Sequence, residues 1–153
     1  MRRIVPVQIN ARIGSGYPQP FRLASPTRES RALGDAAGLT QFGVNLTRLP
    51  PGEVSSQRHW ESHEDEFVYV LEGELTLITD AGQELIGAGE CAGFKAGVPD
   101  GHHFVNRGMA DAVYLEVGTR SDQNVPSYPD IDLALDRTTG WMHKDGTPYP
   151  PRD

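Results

Sequence analysis

The sequence predicts an all-β fold, and three observations support this prediction. Short segments in which apolar and polar residues alternate follow one another through the middle of the chain. Turn signals separate these segments at regular intervals, as they do in β-sandwiches and β-barrels. The chain of 153 residues also contains 17 glycines and 12 prolines, a count that favours many short strands over a few long helices.

The chain reaches its first predicted strand only after a long segment without apolar periodicity. We expect residues 1–40 to form an irregular arm that lies on the surface of the barrel, with a mobile or swapped arm as the alternative. From Gln41 to Leu49, apolar side chains alternate with small or polar ones, which predicts a half-buried strand. The turn sequence Pro50-Pro51-Gly52 ends this strand.

Five further strands are predicted before the chain becomes irregular again. The first begins at Glu66, and the others span Glu74–Thr79, Gln83–Ile86, His102–Asn106 and Ala112–Val117. Asp80-Ala81-Gly82 is a hairpin-type turn. From Arg120 onward the chain is polar and rich in proline, and we expect a tail that packs Trp141 over an exposed barrel edge. A lid over a functional site is the alternative for this tail.

The segment from Gly52 to Gly73 carries the residues with metal-binding chemistry. His59 and Glu61 are two positions apart, so on an extended strand their side chains point to the same face, about 6–7 Å apart. Glu66 begins the next strand, and pairing of that strand with the first would turn Glu66 inward. Neutral histidine and ionised glutamate both offer lone pairs, which a divalent metal ion requires.

This segment resembles the first motif of the cupin superfamily. That motif consists of a glycine, a His-x-His pair, a glutamate and, after six intervening residues, a second glycine. It maps onto Gly52, His59, Glu61, Glu66 and Gly73. The chain has one additional residue between Gly52 and His59, and Glu61 stands where the family usually has its second histidine.

A second cupin motif, of glycine, Pro-x-Gly, histidine and asparagine, follows in the expected order. It maps onto Gly89, Lys95-Ala96-Gly97, His102 and Asn106. Lysine replaces the usual proline, and the loop before the histidine is two residues longer than the pattern. His102 and Asn106 are four positions apart and therefore share a strand face. A rival alignment, anchored on Pro99-Asp100-Gly101, would instead select His103.

The resemblance covers roughly residues 41–117 and implies a double-stranded β-helix, or jelly-roll, cupin barrel with irregular N- and C-terminal extensions. We therefore expect one cupin domain over residues 1–153, with an arm at 1–40, a barrel core at 41–117 and a tail at 118–153. The chain looks like the small single-domain bacterial cupins of unassigned activity. The family resemblance also implies a homodimer.

The resemblance further implies a divalent metal ion held by His59, Glu66, His102 and the residue at position 61. The expected ion is Zn, Fe, Mn or Ni, because a set that includes Glu61 is too rich in oxygen to favour copper. If Glu61 does not bind the metal, its carboxylate is the expected general base.

Four other side chains leave alternatives open around this site. His63 has the same parity as His59 and would replace the missing histidine if the strand extends that far. The histidines could instead be satisfied barrel residues, with Glu61 and Glu66 ion-paired to Arg58 or Lys95. Cys91 is alone in a glycine-rich bend, and we expect a small buried hydrophobic residue rather than a ligand there.

The composition narrows the function classes. A net charge of −7 argues against a nucleic-acid or anionic-membrane partner, and the single cysteine fits a reducing cytoplasm. The leading hypothesis is a metal-dependent enzyme that acts on a small polar metabolite by dioxygenation, isomerisation, decarboxylation or lyase chemistry. The alternative is a non-catalytic small-molecule binding or sensing module with an altered metal site. A purely structural metal ion is the third possibility.

Overall fold

The computed structural model describes residues 3–150 and confirms the predicted all-β fold. The strands are, in chain order, β1 Arg12–Ile13, β2 Glu29–Ala32, β3 Phe42–Leu49, β4 Trp60–Glu61, β5 Glu66–Glu72, β6 Glu74–Thr79, β7 Gly82–Gly87, β8 Cys91–Phe94, β9 His103–Val105, β10 Ala112–Thr119, β11 Pro126–Ser127, β12 Ala134–Asp136 and β13 Gly140–Met142. The helical segments are two 3-10 turns, Pro6–Gln8 and Phe21–Ala24, and the helix α1, Leu33–Ala37. Within residues 3–150, no helix has the length and apolar character needed to cross a bilayer.

Two antiparallel sheets enclose the core. The larger sheet has six strands in the order β1-β2-β3-β10-β5-β8, and the smaller has three in the order β7-β6-β9. Two further pairs, β4 with β11 and β12 with β13, lie outside these sheets. The core draws on both sheets and consists of Leu49, Val68, Val70, Leu75, Leu77, Ile86, Phe104, Ala112 and Tyr114. This arrangement is the jelly roll that the family resemblance implies.

Strand alternation decides which side chains enter the core. In β5, Val68 and Val70 are 7% and 0% exposed, whereas Phe67, Tyr69 and Leu71 between and beyond them face outward. This follows from the two-residue period of a strand, which sends neighbouring side chains to opposite faces. Glu66 shares the parity of the two valines, so the same rule directs its carboxylate into the barrel.

The structure corrects the expected pairing of the two strands of the central segment. The short strand β4 pairs with β11 of the C-terminal tail, and β5 lies between β10 and β8. Both edges of β5 are therefore occupied, and no free edge remains for β4. His59 pairs instead with His102 through an isolated antiparallel bridge, which lies immediately before β4 and β9.

Both terminal segments contain strands that the sequence did not reveal. β2 pairs with β3, β1 pairs with β2, and the N-terminal arm thereby extends the larger sheet. Pairing covers the edge that β3 would otherwise expose, which explains why a segment without apolar periodicity becomes ordered. The boundaries of arm, core and tail stay a prediction.

Trp141 of the tail packs on the arm rather than on a bare barrel edge. Its ring centroid lies 5.2 Å from that of Tyr17, and its indole N–H donates a hydrogen bond to the Gly16 carbonyl at 2.9 Å. Tyr128 lies 6.1 Å from Trp141 and 5.9 Å from Tyr17, in edge-on arrangements. The two ends of the chain are therefore joined by an aromatic cluster of Tyr17, Tyr128 and Trp141.

Cys91 is exposed, contrary to the expectation of a buried residue. It lies on the edge strand β8 opposite Tyr69, which also faces outward. Registered residues of neighbouring strands share a face, so Cys91 is directed to the outside of the sheet.

Asn106 holds the turn between β9 and β10. Its side chain is fully buried, and its amide nitrogen donates to the carbonyls of Leu49 and Ala110, both at 2.8 Å. Its side-chain oxygen accepts a hydrogen bond from the Gly108 backbone N–H at 2.9 Å. The asparagine of the second motif therefore satisfies three backbone groups and has a structural role.

Gly73 connects β5 to β6 at a position where a side chain does not fit. Its φ is +73°, and a Cβ atom there would lie 2.8 Å from the Asp111 carbonyl oxygen. We expect Gly73→Ala to lower the free energy of unfolding by about 1–2 kcal/mol for the left-handed backbone and by ~1–3 kcal/mol more for the steric overlap. Urea denaturation measures this loss.

Gly52→Ala is the matched control for that substitution. Gly52 has a φ of +82°, but a Cβ there would have no heavy atom within 4 Å. The control should therefore show the backbone cost alone. Equal losses for the two variants would contradict the close approach at Gly73.

Candidate metal centre

Three of the sequence-predicted ligands converge at one end of the barrel. One ligand atom from each of His59, Glu66 and His102 can be chosen so that all three lie within 4.8 Å of one another. The His102 Nε2 atom is 2.9 Å from Glu66 Oε2, and the His59 Nε2 atom is 3.6 Å from the same oxygen. Two imidazole nitrogens and a carboxylate oxygen in this arrangement fit a divalent cation and leave positions for a substrate.

The backbone bridge between the two motifs places the imidazoles. The His59 N–H donates to the His102 carbonyl at 3.2 Å, and the His102 N–H donates back at 2.8 Å. Residues paired in this way carry their side chains on the same face, and the two ring centroids are 5.1 Å apart. His102 is therefore the histidine of the second motif that joins the cluster.

Each histidine is also held by a second contact. The His59 Nδ1 atom lies 2.9 Å from the Gln57 carbonyl, so a proton on Nδ1 leaves the Nε2 lone pair free for a metal ion. The His102 ring is stacked on Phe94 with centroids 3.5 Å apart and an interplanar angle of 3°. Its buried Nδ1 atom has no hydrogen-bond partner, so the stacking on Phe94 and the contact of Nε2 with Glu66 orient this ring.

Glu61 lies beside the three-residue cluster and is held from another direction. One carboxylate oxygen is 3.6 Å from His59 Nε2, and the other accepts a hydrogen bond of 2.6 Å from the Asn124 side-chain amide. Burial raises the pKa of Glu61, and the neighbouring Glu66 and Glu64 act in the same direction against the opposing effects of Asn124 and His59.

The two glutamates differ in their electrostatic surroundings. Burial alone would raise the pKa of Glu66, but the hydrogen bond from His102 and the charges of the two histidines hold its pKa below the ordinary value. The Glu66 carboxylate is therefore favoured in its ionised form, as a metal ligand requires. Glu61 binds protons more readily, as a group that exchanges protons requires.

A cavity of about 380 Å³ opens in front of this cluster. Its wall includes polar residues of β3 and β10, among them Glu116. The arm contributes Tyr17 and Arg28, and the tail contributes Tyr128. The Tyr128 ring lies 5.8 Å from that of His59. The terminal segments therefore complete the site and do not merely cover the barrel.

Four side chains that the sequence left as alternatives lie outside the cluster. His63 is exposed, and its Nδ1 atom lies 2.9 Å from its neighbour, the Ser62 hydroxyl. His103 has the opposite parity to His102, and its Nδ1 atom lies 3.1 Å from the Ser56 carbonyl. Arg58 forms ion pairs with Asp80 and Asp130, so it does not neutralise Glu61 or Glu66. Within residues 3–150, Lys95 forms no ion pair with Glu61, Glu66 or any other carboxylate.

The sequence did not identify several residues of the cavity wall, or Asn124, which holds Glu61. Glu116 was detectable in principle, because an acidic residue at the same strand parity as the buried Ala112 and Tyr114 is unusual. Tyr17, Arg28 and Asn124 carried no comparable signal, since their segments have no periodicity.

Comparisons with known proteins agree with this fold. The cupin domain family model matches residues 45–118. The structure of a sugar phosphate isomerase of the cupin superfamily from Silicibacter pomeroyi is 46% identical, with a TM-score of 0.89 and 97% of each chain covered. A candidate sugar phosphate isomerase from Acidithiobacillus ferrooxidans is 36% identical, with a TM-score of 0.70 over 77% of each chain.

A more distant structure shares only the fold. The polyketide cyclase from Streptomyces resistomycificus is 24% identical, with a TM-score of 0.63 over 78% of this chain and 79% of its own. No curated protein sequence matches the chain.

The geometry predicts that the metal content depends on His59 and His102. We expect near-stoichiometric divalent metal in the untagged protein and none in the His59→Ala/His102→Ala variant, because that variant keeps only Glu66 of the cluster. Elemental mass spectrometry measures the content.

His103→Ala is the matched control and should retain the metal, because His103 contacts Ser56 instead of the cluster. Absence of metal from the parent protein, even after reconstitution with Fe, Mn, Zn and Ni, would contradict the assignment.

Proposed function

We propose that this chain, which belongs to the cupin superfamily, is a metal-dependent isomerase that acts on a small phosphorylated sugar. The observation that carries the proposal is the cluster of His59, Glu66 and His102 with a fourth carboxylate, Glu61, beside it. The two structures that are 46% and 36% identical to this chain are described as a sugar phosphate isomerase and a candidate for one, which supports the choice of reaction.

The cavity supports a substrate of this size. Its volume of about 380 Å³ is at the lower end of the range typical of small-molecule sites, about 300–1,000 Å³. Serine, asparagine and tyrosine side chains in its wall offer hydrogen-bonding groups to sugar hydroxyls.

Interconversion of an aldose and a ketose needs a carbonyl polarised by a positive charge and a base that moves a proton. A bound divalent cation would supply the polarisation as a Lewis acid. Glu61 would take the proton from the carbon next to the carbonyl and return it to the former carbonyl carbon, while a hydroxyl proton moves between the two oxygens. The atoms and electrons balance without an added oxidant or reductant.

The surroundings of Glu61 support this role. Asn124 donates to one oxygen of its carboxylate and fixes its orientation, while the other oxygen faces His59. Because its pKa is raised, this carboxylate is a stronger base than an ordinary glutamate. A non-catalytic binding module is the second candidate, and it is favoured by the replacement of the usual second histidine by Glu61.

We also propose that the protein is a homodimer in the cytoplasm, as expected from the sequence. On the outer face of the larger sheet, apolar side chains are in register across three strands, with Tyr69 opposite Leu115 and Leu115 opposite Leu46. Val117 is likewise registered with Phe67 and Val44. An apolar outer face of this kind supports association with a second copy of the chain. The single cysteine supports the location.

The metal-loaded protein should isomerise a member of a panel of aldose and ketose phosphates, as measured by NMR of the products. We expect Glu61→Gln to lower kcat by about 10²–10⁴-fold, because the amide cannot accept the proton. Its metal content should stay at the parent value, since the three clustered ligands remain.

Glu84→Gln is the control, because Glu84 is exposed on β7. If no aldose or ketose phosphate is isomerised, the isomerase proposal fails and the binding module takes its place. Undiminished turnover by Glu61→Gln would remove Glu61 from the reaction.

Light scattering should give a mass of twice the 16.8 kDa of one chain. Tyr69→Glu should shift the protein to the monomer, because it places a charge in the apolar outer face. Leu85→Glu is a matched control, since Leu85 is 64% exposed on the smaller sheet. A monomeric parent protein would overturn the dimer.

A further inference from the structure

We infer that Arg28 binds the phosphate group of the substrate. This inference rests on the proposed function, from which the phosphorylated substrate is taken. Arg28 precedes β2 in the N-terminal arm and lies outside both cupin motifs. It lines the same cavity as His59 and Glu66, so one small molecule can reach it and the metal centre together.

The charge of Arg28 is buried without a direct ionic partner. The residue is only 8% exposed, one terminal nitrogen donates to the Ser55 carbonyl, and its Nε atom is buried without a hydrogen-bond partner. Within residues 3–150, no carboxylate forms an ion pair with it. A buried guanidinium is unfavourable unless an anion or a full set of acceptors compensates for the lost water.

Other arginines of the described chain form ion pairs with carboxylates. The pairs are Arg31 with Glu29, Arg48 with Glu29 and Asp111, Arg58 with Asp80 and Asp130, Arg120 with Asp35, and Arg137 with Asp122. Arg28 is more buried than any of these, yet it has no such partner. The contrast indicates that the Arg28 guanidinium pairs with an anionic group of the ligand.

The cavity that Arg28 lines also contains neutral groups that can hydrogen-bond to a phosphate. Ser55, Ser56 and Asn45 line the same cavity and supply neutral polar groups, which can complement the three charged oxygens of a phosphate monoester. Arg120 also lines the cavity, but its guanidinium is already engaged with Asp35 and with the Leu39 carbonyl. Arg28 is therefore the cation available for the phosphate.

Four glutamates, Glu61, Glu64, Glu66 and Glu116, line this cavity, and their charges oppose an anion there. Glu116 is the one that interacts with Arg28. Burial raises its pKa, while Arg28 and the Thr47 hydroxyl, which donates at 3.1 Å, act in the opposite direction. A phosphate beside Arg28 would favour the protonated form of Glu116, which donates a hydrogen bond instead of repelling the anion. The buried Tyr114 hydroxyl lies beside Glu116 and Arg28 and is a further donor in this part of the barrel.

The test is calorimetric titration of the chelator-treated, metal-free protein with inorganic phosphate, ribose 5-phosphate and ribose. Removal of the metal excludes direct coordination of phosphate to the cation. The parent protein should bind both phosphates and should bind ribose at least tenfold more weakly than ribose 5-phosphate. Arg28→Gln should weaken phosphate binding by at least about tenfold, because a charge-assisted pair is lost.

Two further variants keep the test decisive. Arg28→Lys keeps the charge but loses the planar fork, so its affinity should lie between those of the parent and Arg28→Gln. It replaces Arg28→Gln if thermal denaturation shows that the glutamine variant does not fold. Arg107→Gln is the control, because Arg107 is exposed and donates to Gln83.

Parent-like phosphate affinity in both Arg28 variants, or no phosphate binding by the parent, would overturn the inference. The outcomes also separate it from the proposed function. Arg28-dependent phosphate binding without isomerisation would leave the phosphate site standing and end the isomerase proposal. Isomerisation with unchanged KM in both Arg28 variants would leave the isomerase proposal standing and end the proposed phosphate site.

Discussion

The backbone bridge between His59 and His102 is the contact on which the candidate metal centre depends. It joins two segments that are 43 positions apart in the chain and gives their side chains a common face. Glu66 then needs only the inward parity of β5 to complete the cluster. The centre is thus built on hydrogen-bonded backbone at three positions, which keeps its geometry rigid.

The parts of the fold that were predictable are those governed by local alternation. β3, β6 and β10 lie close to their predicted bounds. In β3 and β10 the buried residues follow the two-residue period of a strand with one buried face. The same parity distinguishes His102, which lies in the cluster, from His103, which does not. In contrast, Asn124 contacts Glu61 across 63 positions, and Trp141 contacts Gly16 across 125. No periodic pattern encodes such pairs, since their partners come from segments whose order arises only on packing.

The barrel lines most of the cavity, and both terminal segments add side chains to its wall. The arm supplies Tyr17 and Arg28, and the tail supplies Tyr128 and the asparagine that orients Glu61. The aromatic cluster of Tyr17, Tyr128 and Trp141 ties these segments to each other. Each terminal segment therefore packs against the other as well as on the barrel, through β2 paired with β3 and β11 paired with β4.

The candidate metal centre and the terminal part of the cavity wall come from different stretches of the chain. The three residues that could hold a metal ion lie within 45–118, the stretch that matches the cupin domain family, whereas Tyr17, Arg28 and Tyr128 lie outside it. Substitutions in the terminal segments can therefore change the cavity wall without altering the three residues that could hold a metal ion. Exchange of the terminal segments between related barrels should accordingly reshape the cavity while the positions of His59, Glu66 and His102 stay the same.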